Sequence, residues 1–510
     1  MAETTVHGAV RRESSGDDRR NRAKRNRTLP PLSPGDLITA MPDAVIHHIF
    51  SFLPLKDVVK TSALSKRWHS AWTTTAHLVF DDVLPCNPDD TYSPDFPSLV
   101  DSVLIRCTSP TVKRFHITNF EYDEALHPKL DLWLRFAEGR RVEDLRLGLV
   151  TRQLQFFYRP RPFLYCLSWL VRLELSCCCF SLGTTVRWPC LKVLLMEVVE
   201  MSDDNLEEIV SGSPVLESLE LHYCWRLKNI VIDSTSVKKL IFANGGFSDS
   251  EQIWAPHLLS LRVSGIWGLA SVFRLDDVSS LVEAELDFVV CTDKSRDLLK
   301  ELLEKLRGVS TITIGGWCLQ VLSTLEMEGV SSPLSKCQNL ILRTPVGQCE
   351  LLGIAYILRS SQCLEKLVIH LTRSCVSKLK LDEESIQRFN FHEDLLCSRK
   401  GNFQCLAKHL KSVEIIDFAC GFESKHLLAL IKFLVGDALA LEKMIIKANL
   451  RAQHVQKLVR VADICQLHGV SRNVLSYRRA SQNAEVIFDY PLEEVSFEKH
   501  LRKILNSKRG

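Results

Sequence analysis

The sequence lacks any long hydrophobic run. Its longest uncharged stretch, residues 308–325, has 18 residues and is interrupted by three glycines and several hydroxyl side chains. A helix that spans a bilayer needs about 20 predominantly apolar residues, so we expect no membrane anchor. The first residues, MAETTVHGAVRRE, also lack the apolar core of a secretory signal. We therefore expect the protein in the nucleus, the cytoplasm or both.

Three widespread catalytic motifs are also missing. There is no GxxxxGKS or GxxxxGKT loop to hold phosphate, no HExxH pair to hold zinc and no GxSxG turn to present a nucleophile. The adjacent His47 and His48 would point to different sides of a helix and could not chelate one ion together. We therefore expect no enzyme active site, no cofactor and no metal site.

Cysteines are plentiful, but they lack paired spacing. The 18 cysteines are scattered from Cys86 to Cys465, and no two form a CxxC pair. In a reducing compartment, such cysteines are usually small buried hydrophobic residues rather than redox or metal groups. The run Cys177–Cys179 follows a predicted strand, where we interpret it as packing within a turn; a reactive thiol is the alternative.

The body of the chain lacks an excess of positive charge. The formal net charge is +3, but residues 1–35 contain eight basic and four acidic side chains and so carry +4. The other 475 residues contain 56 basic and 57 acidic side chains, which gives a net charge of −1. A strongly basic, nucleic-acid-binding body is therefore excluded as the default, and we expect no nucleic-acid partner for it.

The basic residues concentrate in a polar N-terminal tail, residues 1–35. Ser, Gly, Asp, Arg and Pro dominate this tail, and it has too little apolar surface to offset the entropy of ordering, so we expect it to be disordered. Its run RRNRAKRNR (Arg19–Arg27) is compatible with a nuclear import signal, a weak RNA contact or a solubilising tail.

Residues 36–75 carry the pattern of short helices. Pro42 is tolerated in a first helical turn, and Asp43 would lie at the positive end of that helix dipole. Pro54 ends the first helix, and Ser65 can cap a third helix that contains Trp68. Three such short helices bury little surface, so the unit needs a partner or a neighbouring domain. The apolar face of the first helix consists of Ile46, Ile49, Phe50 and Leu53.

The fixed spacings in this segment resemble the F-box, a short helical module. The matching positions are Met41-Pro42-Asp43, Ile46, Ile49-Phe50, Leu53-Pro54, Asp57, Leu64-Ser65-Lys66-Arg67-Trp68 and Trp72. The one departure is Met41, where leucine is commoner in the family. The resemblance implies three helices that dock on a Skp-family adaptor. The residues that would include the adaptor contacts are Met41, Pro42, Ile46, Ile49, Leu53, Pro54 and Trp68.

A six-residue phrase recurs after the F-box-like segment, with apolar residues at its first, fourth and sixth positions. It occurs thirteen times, and most steps between successive starts are 21 to 31 residues long. Positions four and six point the same way on a strand, and no repeat can bury its apolar face alone. This period is typical of a leucine-rich-repeat solenoid. The phrases start at residues 112, 142, 170, 191, 216, 237, 258, 281, 309, 337, 364, 410 and 441.

These patterns predict an α/β fold: a three-helix F-box followed by a right-handed leucine-rich-repeat solenoid. Parallel strands would form its concave face, and helices or irregular chain its back. We expect the F-box over residues 36–75, the solenoid over 76–450 and a C-terminal cap or tail over 451–510. One step of 46 residues contains LDEESIQRFNFHEDLLCSRKGN, which we interpret as an insertion. The stretch 405–448 resembles the FBD region of plant F-box proteins.

An F-box joined to irregular leucine-rich repeats resembles the large plant F-box/LRR family. The resemblance implies the substrate-recognition subunit of an SCF-type ubiquitin ligase, connected to a cullin through the adaptor. The chain would perform no covalent chemistry itself but would bring a protein substrate close to ubiquitin, for ubiquitination and degradation. A non-ligase F-box/LRR interaction scaffold is one alternative, and an RNA-associated protein that uses the basic tail is another.

Substrate recognition is expected on the concave face, at strand positions between the core residues. Solvated surface is the alternative for each candidate, because exposed strand positions are charged anyway. Acidic residues concentrate in the middle of the array and basic ones, including Lys447, near its end, which favours a partner of opposite polarity. The candidates are Arg172, Glu174, Glu220, His222, Arg262, Glu283, Glu285, Asp287, Arg343, Lys366, His370 and Lys443.

Overall fold

The structure, a computed structural model, describes most of the chain between residues 41 and 489. The described ranges are 41–82, 95–151, 157–180, 185–243, 251–267, 273–290, 295–327, 336–372, 403–418, 425–448 and 461–489. The basic tail at residues 1–35, the insertion within the 46-residue step and the last twenty-one residues lie outside them.

Three short helices form the first unit, which we call the helical unit (residues 41–74). They are α1 (Asp43–Phe50), α2 (Leu55–Lys60) and α3 (Trp68–Ala71), with 3-10 turns at Thr61–Ala63 and Trp72–Thr74. Extended prolines precede α1 and α2, as the sequence predicts. A core of four buried side chains holds the helices together: Ile46, Phe50, Val58 and Trp68. Within it, the Phe50 and Trp68 rings meet edge to face at 5.7 Å.

Parallel strands form one fifteen-stranded sheet in the described part of the chain. Neighbouring strands follow chain order, so each repeat adds one strand beside the previous one. The strands are β1 (His77–Asp81), β2 (Arg114–Glu121), β3 (Asp144–Val150), β4 (Arg172–Cys179), β5 (Val193–Glu200), β6 (Ser218–His222), β8 (Lys239–Ala243), β10 (Ser260–Trp267), β12 (Glu283–Val290), β13 (Thr311–Gly315), β14 (Asn339–Thr344), β15 (Lys366–Leu371), β16 (Ser412–Phe418), β17 (Lys443–Ala448) and β18 (Glu485–Asp489). The three remaining strands, β7 (Asn229–Val231), β9 (Glu251–Trp254) and β11 (Phe273–Leu275), form a second parallel sheet.

The thirteen predicted phrases are confirmed as strands of the large sheet. The register aligns their fourth and sixth positions: Leu145 pairs with Leu173, and Leu147 with Leu175. These side chains are 0–1% exposed and belong to one continuous core. Because burial of a leucine stabilises a protein by about 1.5–3 kcal/mol, stacking of the strands is what makes each repeat stable.

The first and last strands of the sheet, β1 and β18, do not follow the apolar phrase. Aligned by register, their first positions are Thr75 and Asn483, both polar, whereas the fourth and sixth positions of β1 are the buried Leu78 and Phe80. Terminal repeats have only one neighbour, so they need less apolar surface than the repeats inside the array. The sheet therefore continues past residue 450, where the sequence pattern ends.

The back of the solenoid changes along the chain. Helices follow most strands of the large sheet, but the strands of the second sheet belong to the repeats that start at residues 216, 237 and 258. Their steps are short, at 21, 21 and 23 residues. Strands pack about 4.8 Å apart, whereas packed helices need about 8–10 Å, so strands occupy less width behind the large sheet than helices do. The helices are α4 (Phe96–Arg106), α5 (His127–Gly139), α6 (Asp203–Ser211), α7 (Ser295–Lys305), α8 (Gly316–Met327), α9 (Gln348–Ser360), α10 (Gln404–Lys408), α11 (Lys425–Asp437) and α12 (Val461–Leu475).

A left-handed residue recurs at the eighth position of the repeat, just after the last core position. Gly265 has φ 100°, and five other residues have φ between 52° and 64° there: Asn119, Cys177, Val198, Tyr223 and Asp417. Each such residue bends the strand where the ladder ends, and the register shifts accordingly after Ile117 and Ile415. Only one of the six is glycine, which is why the sequence does not reveal these bulges.

Candidate functional site

The helical unit contains the residues predicted to contact an adaptor, and the structure divides them by exposure. Ile46 and Trp68 are buried in the core of the unit, at 0% and 3% exposure, where they hold the helices together. The other five are partly or fully exposed: Met41, Pro42, Ile49, Leu53 and Pro54. A partner surface on this unit would therefore consist of these five and their exposed neighbours.

Three further apolar side chains of the helical unit face solvent. Val45 is 43% exposed, Phe52 is 74% exposed and Leu64 is 54% exposed. Leu64 is one of the positions that match the F-box pattern, but neither Val45 nor Phe52 is. Val45 lies on α1 outside its predicted apolar stripe, and Phe52 follows the end of α1, where helical spacing no longer applies. Together with the five exposed residues above, they define what we call the hook surface.

Polar contacts fix the shape of the helical unit beneath the hook surface. Arg67 at the start of α3 forms an ion pair with Asp43 in the first turn of α1. The Trp68 amide donates a hydrogen bond of 3.3 Å to the Ser65 hydroxyl, which is the predicted cap. Such contacts hold a binding surface in one geometry before a partner arrives.

The twelve predicted substrate-binding residues lie on one face of the large sheet, in three rows that cross the strands. The third positions of the phrases hold Arg172, Glu283, Lys366 and Lys443; the fifth positions hold Glu174, Glu220, Arg262 and Glu285; the seventh positions hold His222, Asp287, Arg343 and His370. Core residues alternate with them, so the strand register brings charges of successive repeats side by side.

Glu285 is the centre of a charged cluster in the middle of this face. The Arg262 Nε donates to one of its carboxylate oxygens at 2.7 Å, and Arg343 Nη2 lies 3.2 Å from the other. Gly315 lies on β13, between the strands of Glu285 and Arg343. A Cβ at Gly315 would lie only 2.9 Å from the Cα of Asp287, so glycine leaves room for the Asp287 side chain. Burial raises the pKa of Asp287, although Arg343 opposes this shift.

Glu414 forms a second cluster near the end of the array, and the sequence pattern missed it. Lys366 Nζ lies 2.7 Å from one carboxylate oxygen, and Lys447 Nζ lies 3.1 Å from the other. The hydrogen bond from Lys366 is the main reason that the pKa of Glu414 lies below its usual value. The acidic-to-basic polarity inferred from the sequence is therefore partly neutralised, because acids and bases pair across the strands.

We expect Glu414→Gln to destabilise the C-terminal repeats by about 1 kcal/mol at pH 7, a value reduced because both lysines are 43% exposed. Because the fold lowers the pKa of Glu414, its contribution is complete above the unfolded value of about 4.3 and is lost as pH falls through the folded value. The two proteins should therefore differ in urea midpoint at pH 7, and the difference should shrink when the measurement is repeated at a pH below about 4.3.

The control for this prediction is Glu365→Gln, because the Glu365–Lys411 pair is about half exposed on both sides. Exposed pairs contribute little, so this variant should match the parent protein at both pH values. Equal urea midpoints for all three proteins at pH 7 would remove the stabilising role of Glu414.

The first repeats carry a third charged group, which the sequence pattern only partly identified. The predicted Glu174 accepts from Arg146 at 2.7 Å, yet burial still raises its pKa. On the preceding strands, Asp144 lies 3.0 Å from His116 Nε2 and 3.4 Å from Arg114 Nε. Of these five residues, only Glu174 belongs to the predicted set.

Apolar side chains share the central row with these charges. The fifth positions of five repeats hold them: Leu195, Ile241, Ile341, Val368 and Ile445. These residues could have been identified from the sequence, because each is apolar at a strand position that alternates with the core positions. Ile241 and Val368 are buried, but Leu195, Ile341 and Ile445 are partly exposed. These three give the concave face apolar contacts between paired charges, a composition typical of protein interfaces.

Burial raises the pKa of several thiols in the array. Burial raises the pKa of Cys177 to about 11, of Cys337 to about 12 and of Cys405 to about 11. Because the thiolate is the reactive form, these cysteines behave as packing residues.

Within the described ranges, no group of three or more metal-ligating side chains occurs. The helices in those ranges are also too short or too polar to cross a membrane.

Comparisons with known families match both parts of the chain. The F-box domain model matches residues 38–77, which include the helical unit. A second model matches residues 130–274, within the large sheet; its description is the LRR repeats of FBD-associated F-box protein At5g56370.

Similar proteins from Arabidopsis thaliana match most of the chain. Putative F-box/LRR-repeat protein At3g18150 is 31% identical over 430 residues, which cover 81% of this chain and 86% of the relative. F-box/LRR-repeat protein At3g03360 is 33% identical over 358 residues, covering 66% and 70%. F-box/LRR-repeat protein At5g02910 is 32% identical over 359 residues, covering 68% and 75%.

Proposed function

The chain belongs to the plant F-box/LRR-repeat family, and we propose that it is the substrate-recognition subunit of an SCF-type ubiquitin ligase. The F-box would bind a Skp-family adaptor, which connects it to a cullin, and the concave face would bind a protein substrate. The chain contributes proximity rather than covalent chemistry, because it raises the effective concentration of substrate lysines beside activated ubiquitin.

The hook surface is the observation that carries this proposal. Phe52, Leu64 and Val45 are large apolar side chains, and all three are more than 40% exposed within a unit of about thirty residues. The helical unit has only four buried apolar residues in its own core, so a partner that covers this surface would add to its stability. A cluster of exposed apolar residues on a rigid unit is typical of a protein-binding site.

The concave face supports the substrate-binding half of the proposal. Its charges are largely paired, so a partner gains little from simple charge attraction and more from contacts with Leu195, Ile341 and their apolar neighbours. Complementary polar groups on the partner would set its register along the rows. We therefore expect a protein substrate with an apolar segment flanked by polar residues.

Affinity purification of the full chain under proteasome inhibition tests both halves together. The intact chain should recover adaptor, cullin and substrates, and the recovered complex should conjugate ubiquitin to those substrates when activated ubiquitin is added. A chain that lacks residues 38–77 should keep the substrates but lose the adaptor and cullin. Leu195→Asp combined with Ile341→Asp should do the reverse, because charges at apolar contact positions repel the substrate.

Two results would contradict the proposal in different ways. Absence of adaptor from the intact-chain sample would contradict the ligase role. Recovery of adaptor and binding proteins without any ubiquitin conjugation would instead support a non-ligase F-box/LRR scaffold.

A further inference from the structure

A cavity of about 590 Å³ lies where the F-box meets the first repeats. The end of α1 and helix α2 line one side, and β1, α4 and β2 line the other. Small-molecule sites have volumes of about 300–1,000 Å³ and occur preferentially where two structural units meet. The cavity therefore has the size and the position of a ligand site.

The cavity exists because the F-box only partly covers the end of the strand stack. Within the described residues, β1 pairs with β2 alone, so its other edge faces the F-box. Leu55 of α2 inserts into the core of the solenoid and fixes the two units together. Beside this contact, Leu53, Val59, Val79 and Val103 line an open apolar space.

The charged side chains around the cavity favour an anion. Lys56, Lys60 and Arg114 line it, against the single carboxylate of Asp81. Lys60 pairs closely with Asp57, at 2.8 Å, whereas Arg114 Nε lies farther from its partner Asp144, at 3.4 Å, so Lys56 and Arg114 are the cations best placed to meet a ligand. The Asp81 carboxylate also accepts hydrogen bonds from within the protein.

The hydrogen bonds to Asp81 come from the next strand. The Thr118 hydroxyl and the Asn119 amide both donate to its Oδ1. Because these donors satisfy part of its capacity and hold it against β2, Asp81 repels an incoming anion less than a free carboxylate would.

His77 adds an unsatisfied polar group to the lining. Its Nδ1 is buried and has no hydrogen-bond partner among the described residues. Burial, followed by the nearby Arg114 charge, lowers the pKa of His77, so its ring is neutral at pH 7 and can donate or accept. An unpaired buried polar atom costs free energy, and a ligand that supplies a partner recovers it.

We propose that this cavity binds a small organic anion with an apolar body, between the F-box and the first strand. The body contacts Val79 and Val103, and the anionic group meets Arg114 and Lys56. His77 supplies one further hydrogen bond. The cavity shares Phe52, Leu53 and Pro54 with the edge of the hook surface. The inference still does not depend on the ligase role, because ligand binding is measured on the chain alone.

Fluorescence titration of the folded full chain tests this site with a matched pair of probes. Anilinonaphthalene sulfonate has an aromatic body and a negative charge, and N-phenylnaphthylamine has a similar body without the charge. We expect the sulfonate to bind about tenfold more tightly, because one charge-assisted hydrogen bond accounts for that ratio. Equal affinity of the two probes would overturn the proposed anion preference.

Four variants locate the binding. Arg114→Gln should weaken sulfonate binding about fivefold or more, whereas Arg172→Gln, in the same strand row but outside the cavity, should not. Val79→Trp and Leu99→Trp should each fill the cavity and abolish binding. Leu99 is 38% exposed, so its replacement keeps the test valid if Val79→Trp lowers the melting temperature. Unchanged binding by Arg114→Gln, or by a folded cavity-filling variant, would place the probe elsewhere and refute the site.

Discussion

Replacing Phe52 by aspartate should weaken adaptor binding by at least about a hundredfold, as measured by calorimetric titration of the purified full chain with a Skp-family adaptor. Phe52 is 74% exposed between α1 and α2, so the side chain is available to a partner. Truncating an aromatic anchor in an interface costs about 2–4 kcal/mol, and a carboxylate left unpaired in the contact adds to that loss.

The matched control for Phe52 is Ile105, an apolar residue on α4 that is 84% exposed and lies outside the F-box match. Ile105→Asp should bind the adaptor normally. Trp68→Ala provides the opposite comparison, because Trp68 is buried in the four-residue core of the F-box. It should lose binding together with F-box stability, whereas Phe52→Asp should lose binding with its melting temperature unchanged. Normal binding by Phe52→Asp would contradict the role of the hook surface.

The repeats could be predicted from sequence because their information is local. Three apolar positions within six residues define each strand, and the same three positions define its inward face. The prediction fails where the local rule is relaxed, at Thr75 and Asn483 in the terminal repeats. It also gives no account of the second sheet, because the short steps at 216, 237 and 258 leave room for a strand but do not specify one.

The candidate sites were less predictable because they depend on distant neighbours. The pattern identified Lys366 as an exposed base, but its partner Glu414 lies in the next repeat, after the long insertion. Likewise, Gly315 matters only because Asp287 of the preceding strand occupies the space above it. In the F-box, spacing identified Trp68 and Leu53 alike but could not tell that Trp68 is buried and Leu53 half-buried, since three short helices share so small a core. It did not identify the exposed Phe52 at all.

The close approach of α8 and α9 depends on Gly353. These helices lie behind neighbouring repeats and pack against each other. A Cβ at Gly353 would overlap the Leu319 carbonyl group, with the carbonyl carbon 2.8 Å and the Cα 3.0 Å away. All of these are backbone atoms of α8, so no side-chain rotation relieves the overlap, and the helices must move apart.

We therefore expect Gly353→Ala to destabilise the protein by about 3 kcal/mol, at the upper end of the range for overpacking. Alanine favours a helix more than glycine does, so the intrinsic preference opposes this effect and cannot be its cause.

Gly469→Ala is the matched control, because Gly469 lies in helix α12 with no atom near its missing Cβ. That variant should gain about 0.5–1 kcal/mol. Urea unfolding followed by circular dichroism should therefore shift in opposite directions for the two variants, with faster amide exchange in α8 and α9 for Gly353→Ala alone. A midpoint for Gly353→Ala equal to that of Gly469→Ala would show that the two helices can separate without cost.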